Sequence, residues 1–178
     1  SFALGIIVIL ILLGNYKILS ILPLAIIGYL DDSFNLSRRS RYITQVITSI
    51  FIFFVIKDNL IEQSNIFLYF SLIGIWVFIS TAIINLINFM DGIDGLVCSN
   101  LIIILLLSYS LQSHNYIAAV IPLMIFLFWN WHPSKIFMGD TGSTFLGGLL
   151  ILLLFDNFDI EKFLFICSIS SPLLIDST

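Results

Sequence analysis

The chain has 178 residues, of which 60% are hydrophobic and only 10% charged, with 7 Lys and Arg against 11 Asp and Glu and a mean hydropathy of +1.12. A water-soluble domain of this size carries about 25% charged residues, so most of this surface must face lipid. The net charge of −4 excludes a basic nucleic-acid binder, and the two cysteines, Cys98 and Cys167, lie in separate apolar runs that predict packing residues rather than a disulfide framework.

Taken in chain order, the charges leave apolar stretches at 1–16, 18–30, 42–56, 63–90, 95–134, 141–155 and 163–175. A bilayer core takes roughly 20 apolar residues per helix, so the shorter runs must borrow polar residues at their ends or be shielded there by the protein. The stretch 95–134 holds two helices split at Gln112-Ser113-His114-Asn115. The expected fold is therefore all-α, a polytopic membrane helix bundle of about eight transmembrane segments in one domain. The chain opens on an apolar run with no basic segment before it, so no cleavable signal peptide is predicted, and both ends read as cut.

Alternating crossings send Asp31 to Arg41, Asn85 to Asp94, His132 to Thr141 and the tail at Asp176 to one side. Gly14 to Lys17, Lys57 to Asn65, Gln112 to Asn115 and Asp156 to Lys162 go to the other. The first side holds Arg38, Arg39, Arg41 and Lys135, four of the seven basic residues, and is cytoplasmic by the positive-inside rule. It also collects every Gly-Asp and Asp-Gly pair, which places function there.

The first loop on that side follows Gly28-Tyr29-Leu30-Asp31-Asp32, where an apolar helix ends in two adjacent carboxylates with arginines close behind. Acids at a membrane helix end are tolerated only near water, a metal or a cation. The second reads Asn85-Leu86-Ile87-Asn88-Phe89-Met90-Asp91-Gly92-Ile93-Asp94-Gly95-Leu96. Its polar residues recur at every third position, a spacing that drifts by about 60° per step on an α-helix and aligns on one face of a 3₁₀ turn. Two amides, two carboxylates and glycines that admit close backbone approach suit a hard cation, a phosphate or a nucleobase. The third loop runs from Trp129-Asn130-Trp131-His132 through Phe137-Met138-Gly139-Asp140-Thr141-Gly142-Ser143 into a new apolar helix. It offers helix-start N–H groups, a metal-capable carboxylate and an aromatic ring, Phe137, for stacking.

Three loops thus bring Asp31, Asp32, Asp91, Asp94 and Asp140 to one face. Bare carboxylates so gathered repel one another and any phosphate, which calls for a divalent cation among them, and oxygen-only ligands favour Mg²⁺ or Mn²⁺. Zinc spacing is absent: His114 falls on the opposite side, and His132 reads as an interface residue.

These loops resemble the polyprenyl-phosphate N-acetylhexosamine-1-phosphate transferases, the family of the phospho-MurNAc-pentapeptide translocase and of the GlcNAc-1-phosphate transferases of O-antigen, teichoic acid and common-antigen synthesis. The likeness is carried by Asp31-Asp32 with Leu36, Arg41 and Gln45, by Asn85-x-x-Asn88-x-x-Asp91-Gly92-x-Asp94-Gly95-Leu96, and by Phe137-Met138-Gly139-Asp140-x-Gly142-Ser143. It implies a glycosyltransferase of the bacterial plasma membrane that moves a HexNAc-1-phosphate from a UDP-sugar to undecaprenyl phosphate, releases UMP and so starts a lipid-linked cell-envelope glycan. It implies Mg²⁺ at Asp140 with help from Asn88, and a uridine site at Asn85, Asp91, Gly92, Ile93, Asp94, Asn130 and Phe137. It also implies catalytic roles for Asp31, Asp32, Asp140 and Arg41, with Asp31 and Asp32 open between a base and a structural or electrostatic part. A homodimer is compatible with the family.

The family's N-terminal basic, glycine-rich loop and its later histidine-rich loop have no counterpart in the chain, and Pro172-Leu173-Leu174-Ile175-Asp176 resembles the approach to the latter. The chain therefore reads as an internal fragment, expected to be inactive alone. The ungapped stretch Asp31 to Gln45 favours the GlcNAc type, and Asn88-Phe89-Met90-Asp91 is a variant associated with O-antigen enzymes; phospho-MurNAc-pentapeptide transfer is the alternative. An intramembrane aspartyl protease would need a glycine where Phe137 stands, a CDP-alcohol phosphotransferase would not continue as Leu96-Val97-Cys98, and a transporter would place its acids at mid-membrane.

Overall fold

The computed structural model describes residues 2–56, 66–110 and 114–156, with Glu161, Leu164 and Ser168 as single helical positions beyond them. Among the described residues there is no strand, and seven α-helices follow in order: α1 (Phe2–Leu12), α2 (Leu22–Phe34), α3 (Arg38–Ile56), α4 (Ile66–Met90), α5 (Leu96–Ser110), α6 (Val120–Asn130) and α7 (Gly139–Phe155). They overlap the first seven apolar segments of the sequence, but α2 runs on through Asp31 and Asp32 and α3 starts at Arg38, so most of the expected Asp31 to Arg41 loop is helical. The eighth, 163–175, and the connections through 57–65 and 111–113 lie outside the described residues, as does Cys167.

Among the described residues, only α3 and the Tyr69–Met90 part of α4 are long and apolar enough to cross a membrane by themselves, so the expected eight crossings are not shown. The physical reason lies partly in helix type. Two 3₁₀ stretches, Tyr16–Ile21 and His114–Ala119, run directly into α2 and α6. At about 2.0 Å rise per 3₁₀ residue and 1.5 Å per α residue, the segments 16–34 and 114–130 extend roughly 31 and 28 Å, so their apolar length is divided between two helix types.

α7 is the axis of the bundle. Every residue from Gly142 to Asp156 is buried, with α2 and α4 packed along it and α1 at its side. Close approach is possible because α7 meets its neighbours through small residues. A Cβ on Gly28 of α2 would lie 2.6 Å from the Thr141 Cα, and one on Gly147 of α7 would lie 2.8 Å from the Ile84 Cα of α4. Backbone contact of this kind is how apolar helices associate where lipid is as oily as leucine. The Trp76 indole N–H donates to the Ser49 carbonyl at 2.7 Å and ties α4 to α3. Many apolar side chains of the outer helices remain exposed, among them Ile47, Phe54, Phe78, Ile103, Ile121 and Phe128.

This packing carries the expected two-sided arrangement. The chain segments around Asp31, Asn88 and Asp140 meet in direct hydrogen bonds at one end of α7. At its other end Lys17 and Tyr116 meet Asp156, at 2.6 and 2.9 Å.

Replacing Gly28 by valine should force α2 off α7 and cost about 1–3 kcal/mol. Thermal denaturation of the complete protein in detergent will read this as a lower Tm. Gly74, with open space where its Cβ would stand, serves as the control, and Gly74→Ala should not lower the Tm.

Candidate active site

The site grows from the ends of four helices. α2 stops because Asn35 adopts a left-handed conformation (φ 49°) and its N–H turns back to the Asp31 carbonyl at 2.8 Å. Asn is among the few non-glycine residues that accept this geometry. The turn leaves Asp31 buried, with Oδ1 accepting the Leu36 N–H at 2.7 Å and Oδ2 accepting Arg41 Nη1 at 2.7 Å. The same Nη1 donates to Asp140 Oδ2 at 3.1 Å, so one guanidinium nitrogen links the acids of α2 and α7. Asn88 Nδ2 donates to Asp140 Oδ1 at 2.6 Å and reaches the Ser143 hydroxyl at 2.9 Å. Asp32 also turns to α7, accepting the Asp140 and Thr141 N–H groups at 2.8 and 3.0 Å and the Thr141 hydroxyl at 2.6 Å.

The asparagine ladder resolves into two conformations. α4 stays α-helical through Met90, so Asn85 and Asn88 diverge rather than share a face. Beyond it the Asp91, Ile93 and Leu96 N–H groups each bond to the carbonyl three residues back, so the 3₁₀-type spacing raised for the whole series is found in its carboxylate half and not in its asparagine half. Asn88 thereby faces α7. Asn85 faces α3 in a reciprocal amide pair with Gln45 at 3.1 and 3.2 Å, its Nδ2 also donating to the Thr81 carbonyl at 2.8 Å.

A cavity of about 420 Å³ opens beside this network, lined by Arg38, Arg41, Tyr42 and Gln45 of α3, Asn85 and Asn88 of α4, and Thr144 of α7. Two of its lining residues, Arg41 and Asn88, hold Asp140. Arg38 and Tyr42 join the site although none of the three motifs contains them. Their spacing, with 38, 41, 42 and 45 on one face of a helix, is the signal that could have found them.

A second set of bonds fastens the remaining loops. Asn130 is buried, its Oδ1 accepting the Gly95 N–H at 3.0 Å and its Nδ2 donating to the Ile136 carbonyl at 2.9 Å. Asp94 Oδ2 lies 3.0 Å from His132 Nδ1 and accepts the Ser134 N–H at 3.2 Å. Hydrogen bonds from Ser134 first, and from His132, hold the Asp94 carboxyl below its ordinary range. His132 was read as an interface residue, and the structure gives it a carboxylate partner. Gly92, Ile93 and Phe137 stand exposed at the rim, Phe137 with 74% of its surface accessible.

Asp91 is half-buried between the two sets. Loss of water, then the negative charges of Asp140 and Asp32, raise its carboxyl to about 7, against a hydrogen bond with the Gly139 backbone that opposes the rise. The structure therefore joins Asp31, Asp32, Arg41, Asn88 and Asp140 directly and adds Asp91 through its field. Asn85 lies one helical turn away, and Asp94 and Asn130 belong to the neighbouring loop fastening.

The ends of four helices thus gather carboxylates, amides and two arginines beside one cavity. The model of glycosyl transferase family 4 matches residues 15–156, and the chain belongs to that family. It is 33% identical over 144 residues, 68% of the chain and 38% of the relative, to a Bacillus subtilis protein named probable undecaprenyl-phosphate N-acetylglucosaminyl 1-phosphate transferase. It is 32% identical over 151 residues to the phospho-N-acetylmuramoyl-pentapeptide-transferase of Kosmotoga olearia, covering 74% of the chain and 48% of the relative. With the enzyme of the same name from Dictyoglomus turgidum it shares 35% identity over 155 residues, 74% of the chain and 49% of the relative. The chain thus matches half or less of the length of these curated relatives.

Two outcomes follow from this geometry. Asn130→Ala leaves the Gly95 N–H and the Ile136 carbonyl without their partner and should destabilise by about 1–3 kcal/mol, with faster proteolysis of the segment joining α6 to α7. Because the folded protein holds the Asp91 proton up to about pH 7 while the unfolded chain releases it near 3.8, its contribution is fully present below the lower value. It is lost as pH rises through about 7. Thermal unfolding from pH 5 to 8 should show this decline, and Asp91→Asn should flatten it.

Proposed function

We propose that the complete protein transfers a HexNAc-1-phosphate, GlcNAc or a related sugar, from a UDP-sugar to a polyprenyl phosphate and releases UMP. The reading places a multi-pass protein in the bacterial plasma membrane with the site on the cytoplasmic face, starting a lipid-linked cell-envelope glycan. The observation that carries it is Asp140, fixed between Asn88 and Arg41 beside a cavity with two arginines.

That cavity lies between α3 and α4, the two helices among the described residues that are long enough to span a bilayer, which suits an acceptor whose phosphate arrives on a lipid. Arg38 and Arg41 supply charge to an anion there, and the Gln45–Asn85 amide pair fixes the wall behind them. A phosphate monoester has its second pKa near about 6, so the acceptor is mostly ionised at neutral pH and has little need of a general base. Positioning and charge neutralisation are then the main contributions of this chain's residues. Exposed Phe137 and Ile93 offer apolar surface to a base, and Gly92 leaves room beside them.

Among the described residues no three His, Cys, Asp or Glu side chains gather as a metal cage. The expected cation among five converging carboxylates therefore narrows to Asp140, since Asp31 and Asp32 accept from Arg41 and from α7. Mg²⁺ is commonly held by one or two carboxylates plus water and substrate phosphates. Loss of water is the main reason the Asp91 carboxyl is raised, and the added repulsion from Asp140 and Asp32 is the kind a cation relieves. Asp140 would hold the ion, and Asn88 would join it by turning its amide oxygen inward. The metal would supply neutralisation of charge on the phosphates.

Relatives of both named activities match at 32–35% identity, so the two donors are to be assayed side by side. The complete protein with undecaprenyl phosphate should release UMP from UDP-GlcNAc, and a chelator should stop it. Asp140→Asn should reduce turnover at least about a hundredfold, the scale of losing one electrostatic group at a reacting centre. Robust turnover by that variant would sink the proposal, and release only from UDP-MurNAc-pentapeptide would move the chain to the alternative.

A further inference from the structure

The adjacent acids of α2 point to different helices. Asp31 faces α3 through Arg41 and also accepts the Leu36 N–H of its own loop. Asp32 faces α7, and three donors of α7 converge on its two oxygens: the Asp140 N–H on Oδ1, and the Thr141 N–H and hydroxyl on Oδ2. The amides of a helix's first turn have no intrahelical acceptor, and a side-chain oxygen normally supplies one from the residue just before the helix. α7 has no such cap of its own. Met138 occupies that position and makes no side-chain bond.

The entry into α7 is shaped around the visiting carboxylate. Gly139 has φ +68°, and a Cβ there would stand 2.8 Å from Asp32 Oδ2 and 3.1 Å from Oδ1. One position thus requires glycine twice, for its backbone and for the space that Asp32 fills.

We propose that Asp32 is a positioning residue that caps α7 from another helix and thereby fixes the carboxylate of Asp140 toward Arg41 and Asn88. This rests on reading Asp140 as the centre of the transferase site. A general base must leave an oxygen open to the proton it removes. Asp32 is exposed, so access does not distinguish the two roles, but its oxygens already accept from α7. Asp31 and Asp32 are then not interchangeable members of a pair.

The test is hydrogen exchange, followed by mass spectrometry on peptides covering residues 139–146 of the complete protein in nanodiscs, with kinetics alongside. Losing a cap shifts local opening by roughly 5- to 30-fold, so Asp32→Ala should speed exchange of the first turn of α7 by that factor. Asp32→Asn, which keeps one acceptor oxygen, should do so less. Gly139→Ala, which displaces an intact Asp32, should reproduce the Asp32→Ala pattern. Thr141→Ala removes only the hydroxyl donor and should give a smaller change of the same sign, which serves if Asp32→Ala does not fold. In Asp32→Asn kcat should fall while the acid limb of the pH profile stays in place. Unchanged exchange in Asp32→Ala and Gly139→Ala overturns the cap, as does an Asp32→Asn enzyme that loses the acid limb with protection intact. If the wild type releases no UMP, the transferase reading fails, and the exchange comparison still decides the role of Asp32.

Discussion

The arrangement depends on enclosing α7. A helix buried from Gly142 to Asp156 has no wet face on which to leave unpaired groups, so its polar ends must be answered by other parts of the chain. At its start Asp32 accepts two main-chain N–H groups, while Arg41 and Asn88 hold Asp140. At its finish the nearly inaccessible Asp156 carboxylate receives Lys17 and the Tyr116 hydroxyl. A buried charge left alone is costly, and pairing each end with donors from sequence-distant segments makes the central helix tolerable and also orders the bundle around it.

The same constraint explains why amides are prominent in the site. Asn85 with Gln45 and Asn130 with Gly95 and Ile136 hold helices and loops together without adding net charge at a rim already rich in carboxylates. An amide both donates and accepts, so a single side chain can bridge two segments. Asn88 differs in that its donor is directed at Asp140 and Ser143, within the acid cluster itself. The three asparagines therefore divide into two that fasten the framework and one that faces the chemistry.

The scarcity of charge acquires a local meaning. Arg41 bridges Asp31 and Asp140, and Asp91, half-buried, lies in the field of Asp140 and Asp32 with its proton held up to about pH 7. A site in this condition gains from added positive charge near neutral pH, which connects the packing of the bundle to the proposed metal and phosphate chemistry.

Helix order and the shared end of the three motif loops were legible from the sequence, because apolar run length and the positions of charges constrain where a chain can turn; membership in the family was legible from the resemblance carried by the three motifs. The motif residues were legible as a group for the same reason. Their individual duties were not. Asp31 and Asp32 are neighbours whose side chains diverge by about 100° on a helix, and Asn85 and Asn88 by about 60°. Whether such angles point at α3, α7 or the cavity depends on where those helices pack. The sequence by itself determined which polar groups would be gathered at one end of the helices. Only the tertiary structure decided which of them cap a helix, which pair with one another and which remain for a substrate, since a hydrogen bond forms only where packing brings donor and acceptor within about 3 Å.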